Sequence, residues 1–154
     1  MTDPRFTKLA RLLVEYSTQL KRGERVLVDA TDIPDEFTVE LLRAIRRADR
    51  EQPIDLVSTF MGAHEIPLDY RSRRREYGGL VIDKMIPAVA AERLADWCDV
   101  FCEHGVFTPA ESKDILEAGQ RAGLKARIHA DELGPTGGSL VAAEIGARSA
   151  DHLI

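Results

Sequence analysis

Strand-like apolar segments alternate with helix-length segments along this 154-residue chain, and that alternation constrains its fold more than any other feature. The last quarter shows it most clearly, because the strand-like segments 125–130 and 150–154 enclose a helix-length segment, 138–147. The earlier chain predicts strands at 25–30, 54–60 and 98–103, and helices at 4–22, 35–48, 75–94 and 109–123, with Pro87 expected to kink or divide the third helix. Strands alternating with helices imply right-handed crossovers and parallel pairing. We therefore predict an α/β fold with a parallel sheet of about five strands and alternating helices.

Two histidines stand where the last two predicted strands end. His129 lies near the end of the segment 125–130, Glu132 follows three residues later, and His152 lies in the final segment. Side chains at the carboxyl ends of parallel strands share one edge of a sheet. Neutral imidazole is a common metal ligand, and a nearby carboxylate can move protons. The spacing therefore predicts a candidate metal ligand at the exit of each strand.

Charge and apolar content exclude several classes of partner. Acidic residues outnumber basic ones 26 to 21, giving a formal net charge of −5, so broad attraction to nucleic acid or an anionic membrane is not expected. The run 71–75 holds four arginines and could be a phosphate or RNA patch, but Glu76 beside it favours a solvated loop or helix start. No apolar run approaches the roughly 18 residues of a membrane span, and no signal segment follows Met1. We expect a cytoplasmic protein.

Cys98 and Cys102 lie four residues apart on one predicted strand and so face the same side. A disulfide between them is geometrically poor, and buried free thiols fit a reducing cytoplasm. A zinc site from these cysteines, Glu103 and His104 is the alternative, but the apolar setting favours buried thiols. The turn 134–139 could likewise offer amides to an anion, although a plain helix-entry turn is favoured.

The first third of the chain resembles the amino-terminus of the metalloaminopeptidases of peptidase family M29. The matching segments are 3–5 (Asp-Pro-Arg), 8–11 (Lys-Leu-Ala-Arg), 13–17 (Leu-Val-Glu-Tyr-Ser) and 23–28 (Gly-Glu-Arg-Val-Leu-Val). We therefore interpret residues 1–49 as an aminopeptidase-like αβα segment. That family's metal ligands lie later in the protein, so the resemblance implies no catalytic residue here. The polar segment 48–53 ends in proline and is the predicted linker.

From Ile54 to Ile154 the chain resembles imidazolonepropionase, a metal-dependent amidohydrolase of histidine degradation. The matching segments are 57–67 (Val-Ser-Thr-Phe-Met-Gly-Ala-His-Glu-Ile-Pro), 85–90 (Met-Ile-Pro-Ala-Val-Ala), 99–103 (Asp-Val-Phe-Cys-Glu), 128–132 (Ile-His-Ala-Asp-Glu) and 149–153 (Ser-Ala-Asp-His-Leu). The resemblance implies a (β/α)₈ barrel enzyme that hydrolyses 4-imidazolone-5-propanoate to N-formimidoyl-glutamate. We interpret residues 50–154 as a truncated part of that barrel, about four βα units long.

The same resemblance implies a role for each of four residues. His129 would be a ligand of zinc or iron, Glu132 would position or deprotonate the attacking water, His152 would act near the reacting carbonyl, and His64 would contact the small-molecule substrate. The family also uses a His-x-His pair and an aspartate on other strands, and no two histidines here are separated by a single residue. We therefore expect the chain alone to be inactive.

Two other interpretations stay open at this point. The chain could be a non-catalytic recombinant, truncated or engineered α/β chimera, joined near residue 50. An open parallel sheet leaves strand edges that need covering, so self-association is expected. Metalloaminopeptidase activity is the least favoured interpretation.

Overall fold

A computed structural model of the protein describes residues 3–18, 34–51 and 57–154. Contacts divide the chain into two compact units, Met1–Val57 and Ser58–Ile154. The strand predicted at 25–30 lies outside the described residues, so the structure describes four of the five expected strands. No helix among the described residues is long and apolar enough to cross a membrane.

The described residues of the first unit form two helical segments that pack around a small apolar core. Helix α1 (Pro4–Arg11) begins as predicted, with proline in its first turn and the Asp3 carboxylate accepting a hydrogen bond from the Arg5 backbone N–H at 2.9 Å. It continues as a π-helix, Leu12–Ser17, and α2 spans Asp35–Glu51. The buried residues of this core are Ala10, Leu41, Ala44 and Ile45.

The second unit contains a four-stranded parallel sheet. Its strands are β1 (Thr59–Ala63), β2 (Trp97–Cys102), β3 (Lys125–Ala130) and β4 (Ser149–His152). They lie in the order β1-β2-β3-β4, and every pair is parallel. Neighbours in sequence are thus neighbours in space throughout, which is the order of consecutive βα units in a barrel. The predicted α/β class with a parallel sheet is confirmed.

Helices connect the strands. They are α3 (Arg74–Leu80), α4 (Ile86–Ala91), α5 (Pro109–Arg121) and α6 (Gly138–Ile145), with a short 3₁₀-helix at Leu68–Tyr70. A π-helix, Val81–Met85, joins α3 to α4, so the helix predicted for 75–94 is divided near Pro87, as expected. The division falls just before Pro87, which has no N–H to donate to the preceding turn.

Alternation along the strands sends one set of side chains into the core. The buried residues on this side of β2 and β3 are Cys98, Val100, Cys102, Ala126, Ile128 and Ala130. Helix α5 approaches β2 so closely that a Cβ placed on Gly119 would lie 2.8 Å from the Cβ of Cys98. The alternate residues of both strands, including Asp99 and His129, therefore lie on the opposite side of the sheet.

Candidate active site

The structure brings the four predicted site residues to one end of the sheet. His64 directly follows β1, His129 lies near the end of β3, and His152 is the last residue of β4. Glu132 lies two residues beyond β3. The ring centroids of His64 and His129 are 4.7 Å apart, and those of His129 and His152 are 5.3 Å apart. These distances describe a cluster, while the role of each residue stays a prediction.

A buried carboxylate, Asp99 on β2, lies between two of these rings. Its Oδ1 is 3.0 Å from Nδ1 of His129 and 3.4 Å from Nε2 of His64. Its side chain is only 3% exposed, whereas that of His129 is 24% exposed. Burial opposes ionisation of Asp99, but its polar contacts with the two histidine rings and their electrostatic attraction outweigh burial and hold the pKa of this carboxyl below its usual value.

His64, Asp99 and His129 form a group that could hold a metal ion. One possible ligand atom from each residue lies within 4.8 Å of the others. Nε2 of His64 is buried and accepts or donates no hydrogen bond within the described part of the chain, so it is an orphaned polar atom in this group. Imidazole nitrogen and carboxylate oxygen are ordinary ligands of zinc and of iron. This donor set therefore fits such an ion.

Glu132 and His152 form the more exposed side of the cluster. Oε2 of Glu132 lies 3.4 Å from Nε2 of His152, and each side chain is a little over a third exposed. His152 has a φ of 78°, and the two residues after it donate backbone hydrogen bonds to the end of β3, Leu153 to Ala130 and Ile154 to Asp131. The two side chains are therefore placed where solvent or a small molecule reaches them.

Asp131 organises the loop that carries Glu132. Its Oδ1 accepts hydrogen bonds from the backbone N–H groups of Thr136 and Gly137 at 2.8 and 2.9 Å, and from the Thr136 hydroxyl at 3.0 Å. Its Oδ2 accepts from the Ser139 backbone N–H at 3.1 Å. Hydrogen bonding from the Ser139 side chain, followed by that from these backbone and hydroxyl donors, outweighs burial and holds the pKa of Asp131 well below its usual range. The Asp131 carboxylate thus accepts hydrogen bonds from backbone N–H groups of the turn 134–139. This segment therefore forms the helix-entry turn that the sequence favoured over an anion-binding site.

A second acidic side chain, Glu103 directly after β2, stabilises the same loop. Glu103 accepts hydrogen bonds from the Leu133 backbone N–H at 2.9 Å and the His104 backbone N–H at 2.8 Å. These bonds, the Leu133 bond first, keep the pKa of Glu103 below its usual value. The loop after β3 is therefore tied to the end of β2 as well as to α6.

The structure also shows the surroundings of the two cysteines and of the arginine run 71–75, which the sequence had raised as alternative sites. Cys98 and Cys102 are free and buried, as predicted, and neither belongs to the metal-holding group found within residues 3–18, 34–51 and 57–154. In the arginine run, Arg74 donates to the Val106 carbonyl and pairs with Glu111 at 3.0 Å. This arginine therefore helps to join α3 to the start of α5.

Sequence reasoning missed Asp99 and Asp131. Strand alternation does place Asp99 opposite to the core-facing Cys98, so its side of the sheet was predictable. Its proximity to His129 depends on the register of β2 against β3, in which Phe101 lies opposite His129. No local sequence signal specifies that register.

The fold and the side chains at the strand ends together define a class of protein. This is a parallel α/β protein whose strand ends carry histidines and carboxylates able to hold a metal ion. No family model matches the chain.

Comparison with curated proteins finds imidazolonepropionases among the relatives of this chain. The chain is 51% identical to the imidazolonepropionase of Alkaliphilus metalliredigens over 119 residues, or 77% of this chain and 28% of the relative. It is 42% identical to that of Haloarcula marismortui over 150 residues, 96% of this chain and 35% of the relative. The imidazolonepropionase of Streptococcus gordonii is 51% identical over 73% of this chain and 36% of its own length. The chain therefore resembles a fragment of imidazolonepropionase and spans 28 to 36% of the length of these relatives.

The extent of these matches bears on the first 49 residues. The Haloarcula marismortui alignment covers 96% of the chain and so extends into that segment. The aminopeptidase resemblance of residues 1–49 stays a prediction, as does the junction near residue 50.

Proposed function

We propose that this chain supplies part of the active site of an imidazolonepropionase-type hydrolase, which cleaves the cyclic amide of 4-imidazolone-5-propanoate to give N-formimidoyl-glutamate. The observation that carries the proposal is the convergence of His64, His129, Glu132 and His152 at the carboxyl end of one parallel sheet. The similarity to imidazolonepropionases over most of the chain supports the same reaction.

The proposed cofactor is zinc or iron, with His129 as a ligand. Such an ion lowers the pKa of a bound water and polarises a carbonyl oxygen. Nδ1 of His129 faces the carboxylate of Asp99, so Nε2 is the ring nitrogen left for the ion.

The chain's own acid–base pair is Glu132 with His152. Glu132 is the proposed group that orients the attacking water and takes its proton, because its carboxylate is partly exposed beside His152, whose ring lies 5.3 Å from that of His129. Nε2 of His152 lies 3.4 Å from Glu132, so a proton accepted by the carboxylate has a nearby route toward the leaving nitrogen. His64, stacked 6.2 Å from Phe101 between ring centroids, is the proposed substrate contact at the other side of the cluster.

The 154-residue polypeptide tested alone is expected to be inactive, because its sequence has no His-x-His pair and a catalytic zinc site typically uses three protein ligands plus water. The test is hydrolysis of 4-imidazolone-5-propanoate with added zinc or iron, comparing the unaltered chain, His129→Ala and His104→Ala. His104 is an exposed histidine outside the cluster and is the matched control.

Three results are distinguishable. Turnover lost in His129→Ala but kept in His104→Ala would support the reaction and His129 while refuting inactivity. No turnover in any variant would support inactivity. Turnover unaffected by His129→Ala would contradict the proposed site.

We also propose, as a second candidate, a non-catalytic chimera that self-associates. Within the described sheet, β1 and β4 each pair with a single neighbour, and Leu68, Leu133, Leu140 and Ile154 are at least 74% exposed. Sedimentation across a range of concentrations tests it, because a single monomeric species at high concentration would contradict self-association. A cytoplasmic location is proposed on the two free cysteines.

A further inference from the structure

We propose that Asp99 is a positioning residue for His129: it holds the ring as the Nδ1–H tautomer and so leaves Nε2 as the ligand atom. The ligand role of His129 rests on the function proposed above. The tautomer and its dependence on Asp99 do not, because they are properties of the metal-free chain.

Register explains why this contact forms. Phe101 lies opposite His129, and Asp99 lies opposite Arg127, two residues earlier along both strands. Asp99 and His129 share the side of the sheet away from the core, so the carboxylate lies one side-chain step nearer to the start of the strands than the imidazole. The His129 ring therefore presents one nitrogen toward the strand interior and the other toward the strand ends.

Hydrogen-bond chemistry then determines the tautomer. An ionised carboxylate only accepts, so the nitrogen facing Asp99 must carry the proton. The contact of 3.0 Å is an ordinary hydrogen-bond length, and Asp99 is nearly excluded from solvent. Water therefore competes poorly with His129 for this oxygen. Carboxylates that hold a ligating histidine in this way fix ring orientation, and their loss typically lowers metal affinity 10–100-fold.

His64 restricts the same carboxylate from a second direction. Its Nε2 lies 3.4 Å from the same oxygen, and its ring meets that of His129 edge-on at an interplanar angle of 79°. Of the two contacts only that of His129 is a hydrogen bond, since Nε2 of His64 makes none within the described residues. The Asp99 carboxylate therefore accepts its hydrogen bond from His129, and the neighbouring His64 ring limits how far this carboxylate can rotate away from His129.

Nitrogen NMR of the metal-free chain labelled with ¹⁵N-histidine tests the proposal directly. Spectra are recorded at a pH where the rings are neutral, and His129→Gln identifies the resonances of His129. The expected result is a His129 ring protonated at Nδ1 in the unaltered chain. In Asp99→Ala no side-chain oxygen remains to accept from Nδ1, so the Nε2–H tautomer or a mixture is expected. Asp114→Ala, which removes an exposed carboxylate from α5, should leave the His129 spectrum unchanged.

The outcomes separate this inference from the proposed function. An Nε2–H tautomer in the unaltered chain, or an Nδ1–H tautomer that persists fully in a folded Asp99→Ala chain, would overturn it. Zinc is then titrated into the same samples, and Asp99→Ala should need at least 10-fold more zinc to shift Nε2 of His129. An equal zinc requirement in the two chains would overturn the effect on affinity. If no zinc concentration shifts Nε2 in the unaltered chain, the ligand role of His129 in this polypeptide fails, while the tautomer result still decides the role of Asp99.

Discussion

Replacing Asp131 with asparagine should destabilise the chain measurably, because one oxygen of this carboxylate has no substitute. Asparagine keeps Oδ1 and can retain the bonds from Thr136 and Gly137. Its amide nitrogen takes the place of Oδ2 and meets the Ser139 N–H, so two donors face each other. A lost hydrogen bond to a charged group costs about 1.5–3 kcal/mol. Loss of the charge at the start of α6 adds about 0.3–1 kcal/mol.

The expected decrease in the free energy of unfolding is therefore about 2–4 kcal/mol near pH 7. Urea unfolding followed by circular dichroism measures it, with Asp114→Asn as the control. Asp114 is exposed on α5, so that change should fall within about 0.5 kcal/mol. A loss below about 0.5 kcal/mol for Asp131→Asn would show that the network contributes little to stability.

The effect should also depend on pH in one direction. The folded-state pKa of Asp131 is held well below its usual value, so the unfolded chain binds more protons as the solution becomes acidic. The stabilisation is fully present above the unfolded pKa of about 3.9 and is lost as pH falls toward the folded pKa. The gap between the unaltered chain and Asp131→Asn should narrow below about pH 4. A gap of constant size from pH 7 to pH 3 would refute the assignment to an ionised carboxylate.

Two further predictions concern packing and thiol chemistry. Gly119→Ala should be less stable than Gly78→Ala by about 1–3 kcal/mol in chemical unfolding, since both gain helix propensity but only Gly119 lies against a neighbour, with 2.8 Å to the Cβ of Cys98. Equal stabilities would mean that α5 can move away from β2. Burial raises the pKa of the Cys98 thiol to about 12. At pH 8 roughly one Cys98 side chain in 10,000 is therefore in the reactive thiolate form. Mass spectrometry after iodoacetamide treatment should find Cys98 modified in denaturant but not in the folded chain, and rapid labelling of the folded chain would contradict its burial.

Several elements were predictable because their signals are local. Thr108 and Glu111 form a reciprocal capping box that starts α5, with Pro109 in its first turn. Apolar spacing predicted α2 from Asp35, although the helix continues to Glu51 rather than ending near 48. The two π-helices were not predicted, since such turns depend on how a helix packs along its whole length.

The candidate site divides in the same way. The sequence by itself determined the order of strands and helices, the strand exits at which His64, His129 and His152 stand, and the likeness to imidazolonepropionase, because these depend on near neighbours and on residue identity. Tertiary structure alone decided that Asp99 contacts His129 and that Asp131 accepts hydrogen bonds from the backbone N–H groups at the start of α6. Asp99 and His129 are 30 positions apart in the chain and meet because of the parallel register of β2 and β3. Asp131 and Ser139 are eight positions apart and meet because of the path of one loop. Register is set by the combined packing of the sheet against its helices, and no short segment of the chain contains that information.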